Sequence, residues 1–196
     1  MMEDFAYTVR IIKGPSDYDW FEVKRRALVT VGREVANPPT SEWKRKILKA
    51  RHSPIRYLRY SFMLEHIPYW VACELRTHVH DMPYVSDFGV YIRSSRNDRQ
   101  KDFDRNAARQ DAPVNMVMDV NAEQIQILAN KRLCRKATQE ARDIVQKMCQ
   151  QAIGATPELD GLLVPMCQHC GGVCHEMEPC GEGKEYENEA TARGLP

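Results

Sequence analysis

Two arginines, Arg109 and Arg132, stand where the chain is expected to turn inward, and this placement suggests a binding site for an anion. The guanidinium group is planar and permanently charged, and its donors match the oxygens of a phosphate or carboxylate in pairs. Most helical arginines lie on solvated faces, so a plain surface role is the alternative for both residues.

A second group of anion-binding residue types lies in the run R-S-S-R-N-D-R at residues 93–99, where the hydroxyls of Ser94 and Ser95 precede Arg96. Serine hydroxyls add neutral donors beside the guanidinium. A solvated surface loop is the alternative, and composition alone favours it. His78 and His80 suit metal ligation, flavin contact or an ordinary polar loop, and a pair without a third ligand is weak evidence for metal.

The C-terminal part of the chain is rich in thiols, and His169 and His175 lie among them. Thiolates are good zinc ligands, and the first cysteine pair has the spacing of a zinc knuckle, so a structural zinc site is one interpretation. Free buried or reactive thiols are the other. The cysteines concerned are Cys167, Cys170, Cys174 and Cys180.

Length and composition place these residues in a soluble globular protein. The chain has 196 residues, 43% of them hydrophobic and 28% charged, with a net charge of +1. We expect one domain over residues 1–181 with a cysteine-rich segment at about 164–181, followed by a polar tail at 182–196. The near-neutral charge predicts neither nucleic-acid nor membrane binding, and a cytoplasmic location is the default. No dinucleotide-binding, P-loop or H-E-x-x-H motif occurs in the sequence.

The periodicity predicts alternating strands and helices around the candidate residues. Strands are expected at residues 5–12, 57–65 and 113–120. One helix is expected to be capped by Ser16 or Asp17, a second to be capped by Thr40 or Ser41 and to run through Ala50, and a third to run from Tyr69 to about Arg76. Residues 77–112 are predicted to form a long polar loop. Asn121 and Gln124 resemble a capping box that opens one long helix through Arg142 and beyond. Its predicted buried face contains Ile125, Leu128, Ala137, Ala141, Ile144, Val145 and Met148.

Several short motifs occur in an order that resembles one enzyme family. They are H-S-P-I at residues 52–55, S-S-R at 94–96, Q-D-A-P-V-N at 110–115, N-A at 121–122 and K-R-L-C at 131–134. The cysteine-bearing end completes the series. Together they resemble the flavin-dependent thymidylate synthases (ThyX), in particular a short bacterial and phage-like branch, over about two thirds of the chain.

The resemblance implies an α+β fold in which helices pack on an antiparallel sheet, and a homotetramer with active sites between subunits. The implied reaction converts dUMP to dTMP, with methylenetetrahydrofolate as the carbon donor and FAD and NADPH as the reductants. The cofactor would supply the redox chemistry, and fixed cations would hold the phosphate and the charge developing on the uracil ring.

The resemblance also implies roles for individual residues. Ser94 and Arg132 would lie at the reacting pyrimidine. The nucleotide would be held by Glu74, Ser94, Ser95, Arg96, Arg109 and Arg132. The flavin would contact Ser53, Arg76, His78, His80 and Asn121.

The sequence departs from the family on the flavin and folate side. The family's R-H-R signature is Thr77-His78-Val79-His80 here, and Arg76 is displaced from it by one position. Glu74 replaces a family glutamine, and Glu123 replaces the arginine of N-A-R. Two further functions therefore stay open. One is a related dUMP-modifying transferase, such as a hydroxymethylase, with altered or lost flavin use. The other is a non-catalytic nucleotide-binding relative.

Overall fold

The protein has an α+β fold whose central element is a four-stranded antiparallel sheet. The computed structural model describes residues 7–80, 90–94, 104, 106–107 and 109–185. The sheet has the order β1-β2-β4-β3 and consists of β1 (Thr8–Lys13), β2 (Arg59–Pro68), β3 (Val90–Ser94) and β4 (Pro113–Asn121). The predicted α+β class with an antiparallel sheet is confirmed.

The helices are α1 (Asp17–Val29), α2 (Ser41–Lys49), α3 (Tyr69–His80), α4 (Ala122–Arg132), α5 (Gln139–Ala155) and the short α6 (Met166–His169). A two-stranded parallel pair, β5 (Val173–Cys174) and β6 (Lys184–Glu185), lies in the C-terminal segment. Ordered pairing thus extends to Glu185, beyond the boundary predicted for the polar tail. In the described part of the chain, no helix is long and apolar enough to span a membrane.

The core forms because β2 and β4 alternate between buried and more exposed residues. This period of two places one side of each strand against the helices. The fully or almost fully buried hydrophobic residues of the two strands are Tyr60, Phe62, Leu64, Ile67, Val114, Met116, Met118 and Val120. They pack in one cluster with Val71 and Leu75 of α3, Ile125 and Leu128 of α4, and Ile144, Val145 and Met148 of α5. The alternation predicted for β2 is confirmed.

The predicted single helix from Asn121 onward is wrong, because α4 ends at Arg132 and α5 begins at Gln139. Thr138 occupies the N-cap position of α5. The turn between the helices is held by the Arg142 side chain, which donates to the carbonyls of Arg135 (2.7 Å) and Ala137 (3.3 Å). These bonds satisfy carbonyl groups that would otherwise continue a helical ladder. Ala137, predicted to be in the helix, lies in this turn.

The predicted loop over residues 77–112 is also wrong in part. Helix α3 continues through His80, and residues 90–94 form β3, which pairs with β4 from Val90↔Met118 to Ser94↔Val114. Val90, Tyr91 and Ile92 favour a strand, but the run is short and lies within a polar stretch, so it was not recognised. The remaining predicted helices and strands agree with the structure to within a few residues at each end.

Candidate functional site: a charged junction between two helices

One end of the sheet gathers three of the predicted anion-binding segments. Strand β2 leads directly into α3, and the N–H groups of Tyr69 and Trp70 donate to the carbonyls of Ala112 (3.0 Å) and Gln110 (3.2 Å). Ser94, at the end of β3, is paired with Val114 at the start of β4. The backbone therefore brings the start of α3, the turn at residues 109–112 and Ser94 to the same end of the sheet. Ser95 and Arg96 lie outside the described residues, and the Ser94 side chain is not described.

Arg132 reaches α3 from the C-terminal end of α4. Helix α4 follows β4 without a connecting loop, and Arg132 lies in its last turn. The Arg132 guanidinium forms an ion pair with the Glu74 carboxylate of α3, and each side chain is 22% exposed. Two oppositely charged groups are therefore held together, partly shielded from water, where the two helices meet. The expectation that Arg132 is largely withdrawn from solvent agrees with this exposure.

A cavity of about 200 Å³ adjoins Arg132. Its lining residues are Lys131, Arg132, Cys134, Lys136, Ala137 and Glu176. Three of these carry positive charge and one carries negative charge. Lysine and arginine are favoured in the last turn of a helix because its free carbonyls carry partial negative charge. Because the lining is predominantly cationic, the cavity can accept a small anion.

Lys131, Lys136 and Cys134 were not predicted as site residues, and the structure adds them through this cavity. The signal was present in the sequence as four cationic residues among the six at positions 131–136. It was not recognised because residues 131–136 were assigned to one continuous helix. The break after Arg132 is what allows Lys136 to line the same cavity as Lys131.

Arg109 is placed differently from the prediction, since its side chain is 81% exposed. Its Nε and Nη2 atoms donate to the two carboxylate oxygens of Asp111, at 2.8 and 2.6 Å. The hydrogen bonds from Arg109 hold the pKa of the Asp111 carboxyl below its usual value. The expectation that Arg109 points inward is therefore wrong for a single chain: the turn at residues 109–112 directs it to the surface.

Asn121 has a structural role at the other end of α4. Its side-chain oxygen accepts hydrogen bonds from the N–H groups of Glu123 (3.0 Å) and Gln124 (2.8 Å), and the Gln124 side chain accepts from the Asn121 N–H (2.8 Å). Asn121 is only 1% exposed. The predicted capping box is thus confirmed, and it engages the Asn121 side-chain oxygen in the helix cap.

Glu123, which replaces the family's arginine, closes the same end of α4. The Arg56 side chain lies against it, with Nε 2.5 Å from a Glu123 carboxylate oxygen. Of the other residues predicted for the flavin, Ser53 and Arg76 are exposed, and His78 and His80 belong to α3 without described side chains. The Gln124 amide nitrogen is the one buried side-chain polar atom of the described residues that lacks a hydrogen-bond partner.

The cysteine-rich segment forms a second cavity, of about 340 Å³, beside the first. It is lined by five thiols, those of Cys134, Cys167, Cys170, Cys174 and Cys180. All are free thiols. Burial raises the pKa of Cys167, and the neighbouring thiols Cys174, Cys180 and Cys134 raise it further. The C-terminal segment is fixed to α4 by Asn130, whose side-chain nitrogen donates to the Val164 carbonyl at 2.7 Å.

The predicted zinc site is not supported. Within the described ranges, which include all four predicted ligands, no three Cys, His, Asp or Glu side chains are arranged to hold a metal ion. The thiols line the same cavity but do not converge on one point. The segment packs closely because Gly183 has no side chain. A Cβ atom at this position would lie 2.9 Å from the Cys167 Cβ atom and 2.9 Å from the Gly172 oxygen.

A larger cavity, of about 660 Å³, lies between α5 and the C-terminal segment. Its two arginines, Arg135 and Arg142, are occupied by Glu182 and by the carbonyls of the turn after α4. None of the residues predicted to bind the nucleotide lines it. The smaller cavity at Arg132 is the better candidate for anion binding because a residue predicted to bind the nucleotide lines it, although Arg132 and Lys136 are themselves paired with Glu74 and Glu178.

The solved structures that share this fold include the following three. Thymidylate synthase X (ThyX) from Helicobacter pylori, crystallised with FAD and dUMP, aligns with a TM-score of 0.61 at 14% identity over 80% of this chain and 97% of that one. Another structure of flavin-dependent thymidylate synthase ThyX from H. pylori, complexed with FAD and dUMP, gives 0.62 at 14% identity, with coverage of 80% and 99%. The UMP/dUMP methylase PolB from Streptomyces cacaoi, bound with 5-Br dUMP, gives 0.61 at 12% identity, with coverage of 80% and 94%.

No protein-family model matches the sequence, and no curated protein matches it. At 12–14% identity, the structural likeness is evidence of shared architecture. Each of the three alignments covers 80% of this chain. The protein therefore has the fold of the ThyX thymidylate synthases and the methylase PolB.

Proposed function

We propose that this protein binds dUMP and modifies its pyrimidine ring by transfer of a one-carbon unit. The observation that carries the proposal is the partly buried Arg132 at the junction of α3 and α4, beside a cavity that Lys131 and Lys136 also line. Arginine and lysine bind phosphate through charge-assisted hydrogen bonds, and fixed cations also stabilise negative charge that develops on a ring during reaction. The shared fold supports the choice of nucleotide, since the three similar structures hold dUMP or 5-Br dUMP.

The first form of this proposal is a thymidylate synthase that uses methylenetetrahydrofolate, FAD and NADPH to make dTMP. Arg96, Ser94, Ser95 and Arg109 would complete the nucleotide site begun by Arg132. A homotetramer with sites between subunits is part of this form, and it would give the exposed Arg109 a role in a neighbouring site. The oligomeric state is measured by light scattering coupled to size-exclusion chromatography, and a monomer would remove that role.

The second form is a dUMP transferase with altered or lost flavin use, and the Asn121 end of α4 favours it. There the capping box occupies Asn121, and Glu123 is paired with Arg56 where the family has an arginine. The carbon of methylenetetrahydrofolate is at the oxidation level of formaldehyde. Its transfer to dUMP with addition of water gives a hydroxymethyl group without reduction, whereas a methyl group needs a hydride donor. Loss of flavin therefore predicts a different product.

One experiment separates these forms. The purified protein is incubated with dUMP and methylenetetrahydrofolate, with and without FAD and NADPH, and the nucleotide is analysed by mass spectrometry. A gain of CH₂ that requires FAD supports the synthase. A gain of CH₂O without FAD supports the hydroxymethyl transferase. Binding of dUMP with no change in mass under any condition would indicate a non-catalytic nucleotide-binding protein, and absence of dUMP binding would overturn the proposal.

A further inference from the structure

Two ion pairs join the turn between α4 and α5 to the C-terminal segment. Arg135 Nε lies 2.8 Å from a carboxylate oxygen of Glu182, and Lys136 Nζ lies 3.6 Å from one of Glu178. All four side chains are exposed, so each pair adds little to stability, but the pairs show which parts of the two segments are neighbours. The chain just after α4 therefore lies beside residues 178–182.

Each of these two neighbouring stretches carries a cysteine. Cys134 directly precedes Arg135, and Cys180 is the central residue of 178–182. Both are partly exposed and both are free thiols. Both also line the cavity of about 340 Å³ and the cavity of about 660 Å³, so each lies where the two cavities adjoin. Two cysteines on neighbouring segments, in the same wall and open to solvent, are placed for a disulfide, which needs only two sulfurs.

The other thiols of the cysteine-rich segment are less suited to this chemistry. Cys167 also lines both cavities, but it is buried, and burial together with the neighbouring thiols raises its pKa. A buried thiol that stays protonated is a poor nucleophile. Cys174 is buried as well, and neither Cys170 nor Cys174 lines the larger cavity. Cys134 and Cys180 are therefore the pair that a dissolved oxidant reaches most easily.

We infer that Cys134 and Cys180 are a redox modification site, at which a small disulfide such as glutathione disulfide oxidises the two thiols to an intramolecular disulfide. One of the two cysteines, as its thiolate, attacks a sulfur of glutathione disulfide and releases one glutathione. The second cysteine loses its proton to solvent and attacks the protein sulfur of the mixed disulfide, which releases the second glutathione. Two protein thiols are thus oxidised, and one glutathione disulfide is reduced to two glutathione molecules.

The disulfide ties the turn after α4 to the C-terminal segment. Cys134 also lines the cavity beside Arg132, so the bond fixes one wall of that cavity. About 45 residues lie between the two cysteines, and closing a loop of this length restricts the unfolded chain more than the folded one. This inference concerns the thiols alone and does not rest on the proposed function.

The test is carried out on the full chain without denaturant. The reduced protein is equilibrated with glutathione buffers of increasing disulfide content, free thiols are blocked with N-ethylmaleimide, and peptides are mapped by mass spectrometry. We expect one intramolecular link, between the peptides that contain Cys134 and Cys180, with loss of two hydrogens and reversal by dithiothreitol. The thermal unfolding midpoint of the oxidised protein is expected to be about 5–15 °C higher than that of the reduced protein.

Cys73→Ser is the matched control, because Cys73 is a partly exposed free thiol of α3 that lines none of the three cavities. This variant should form the link as wild type does. Cys134→Ser and Cys180→Ser should form no intramolecular link, and the cysteine that remains should hold one glutathione as a mixed disulfide. Peptide mapping of the wild-type protein decides the question even if a serine variant fails to fold.

The outcomes divide clearly. The link in wild type and Cys73→Ser, absent from both cavity variants and accompanied by a higher midpoint, supports the inference. Three results overturn it: no link at any glutathione ratio, a link from Cys134 or Cys180 to a different thiol, or a link that forms only in urea. A link that lowers the midpoint also overturns it, because the two segments would then have to leave their native arrangement to react.

Discussion

The two ends of α4 differ in what their polar residues do, although the sequence suggests a binding role for both. At the first turn, Asn121 and Gln124 satisfy each other's backbone N–H groups and are buried. At the last turn, Arg132 meets Glu74 of α3 and adjoins a cavity lined by further cations. The ends are about 16 Å apart, from the rise of 1.5 Å per residue over the 11 residues of the helix.

The difference shows how one helix can separate a structural from a chemical role. Polar groups at the buried N-terminus must be satisfied internally, because an unpaired backbone N–H there is costly. Charged groups at the C-terminal end of α4 do not need internal partners to the same extent, because solvent reaches the cavity beside Arg132. The two ends therefore predict opposite results for substitution: loss of stability at Asn121, and loss of nucleotide binding at Arg132.

Arg132→Ala is the substitution expected to have the largest effect. We expect it to weaken dUMP binding by about 1.5–3 kcal/mol, the range for a lost hydrogen bond to a charged group, which corresponds to roughly ten- to 150-fold in Kd. Titration calorimetry measures the change. Arg25→Ala is the control, because Arg25 is an exposed arginine paired with Glu22 on α1. If the Arg132 variant binds dUMP as tightly as wild type, the C-terminal end of α4 has no binding role and the proposed difference between the two ends of α4 is wrong.

Asn121→Ala tests the structural end. The free energy of unfolding is expected to fall by about 1–2 kcal/mol, because the substitution removes an N-cap and leaves two N–H groups without their acceptor. Urea denaturation measures the loss, and Asn121→Ser should recover most of it because serine also caps helices. The dUMP affinity of the folded variant should equal that of wild type. A selective loss of binding would place Asn121 in the site after all.

The core beside α4 also predicts how stability depends on pH. Burial raises the pKa of the Cys149 thiol on α5 from 9.0 to about 12. In the unfolded chain this thiol ionises at lower pH than in the folded protein, so its contribution to stability is present below about pH 9 and is lost as the pH rises to about 12.

Urea denaturation from about pH 8 to 11 measures this dependence, and Cys149→Ala should make it shallower. Burial also raises the pKa of Tyr60 and of Cys167, which act in the same direction and contribute to the slope that remains. The same slope in wild type and variant would show that the thiol is reached by solvent.

Arg109→Ala is expected to change dUMP affinity by less than about 1 kcal/mol within one chain, the usual value of an exposed ion pair such as that with Asp111. The measurement is made below and above the concentration at which the protein self-associates. A loss as large as that of Arg132→Ala, present only in the associated form, would place Arg109 in a site between subunits.

Chelation is expected to have the smallest effect. EDTA should leave the thermal unfolding midpoint unchanged, because the cysteine cavity offers no set of three ligands to one ion among the described residues. Cys174→Ser should then change stability only through packing, since Cys174 is buried. A fall in the midpoint with EDTA, restored by zinc, would reinstate the predicted metal site.

Local patterns predicted those elements whose own residues carry a clear period or a helix-capping signature. The alternation of Tyr60, Phe62 and Leu64 predicted β2, and the pair Asn121 and Gln124 predicted the start of α4. The break after Arg132 was missed because the bonds from Arg142 to the turn carbonyls have no periodic signature. Strand β3 was missed because its β-forming run, Val90 to Ile92, is short and lies within a polar stretch.

For the candidate site, the sequence determined the chemistry and the tertiary structure determined the partners. Arg109, Ser94 and Arg132 predicted an anion-binding site because guanidinium and hydroxyl groups donate hydrogen bonds to phosphate in any fold. That Arg132 is paired with Glu74, and that Arg109 faces solvent, was decided by how α3 and the turn at residues 109–112 meet the sheet. The physical reason is that charge and hydrogen-bonding capacity belong to a residue, whereas burial and ion pairing arise only when distant segments pack together.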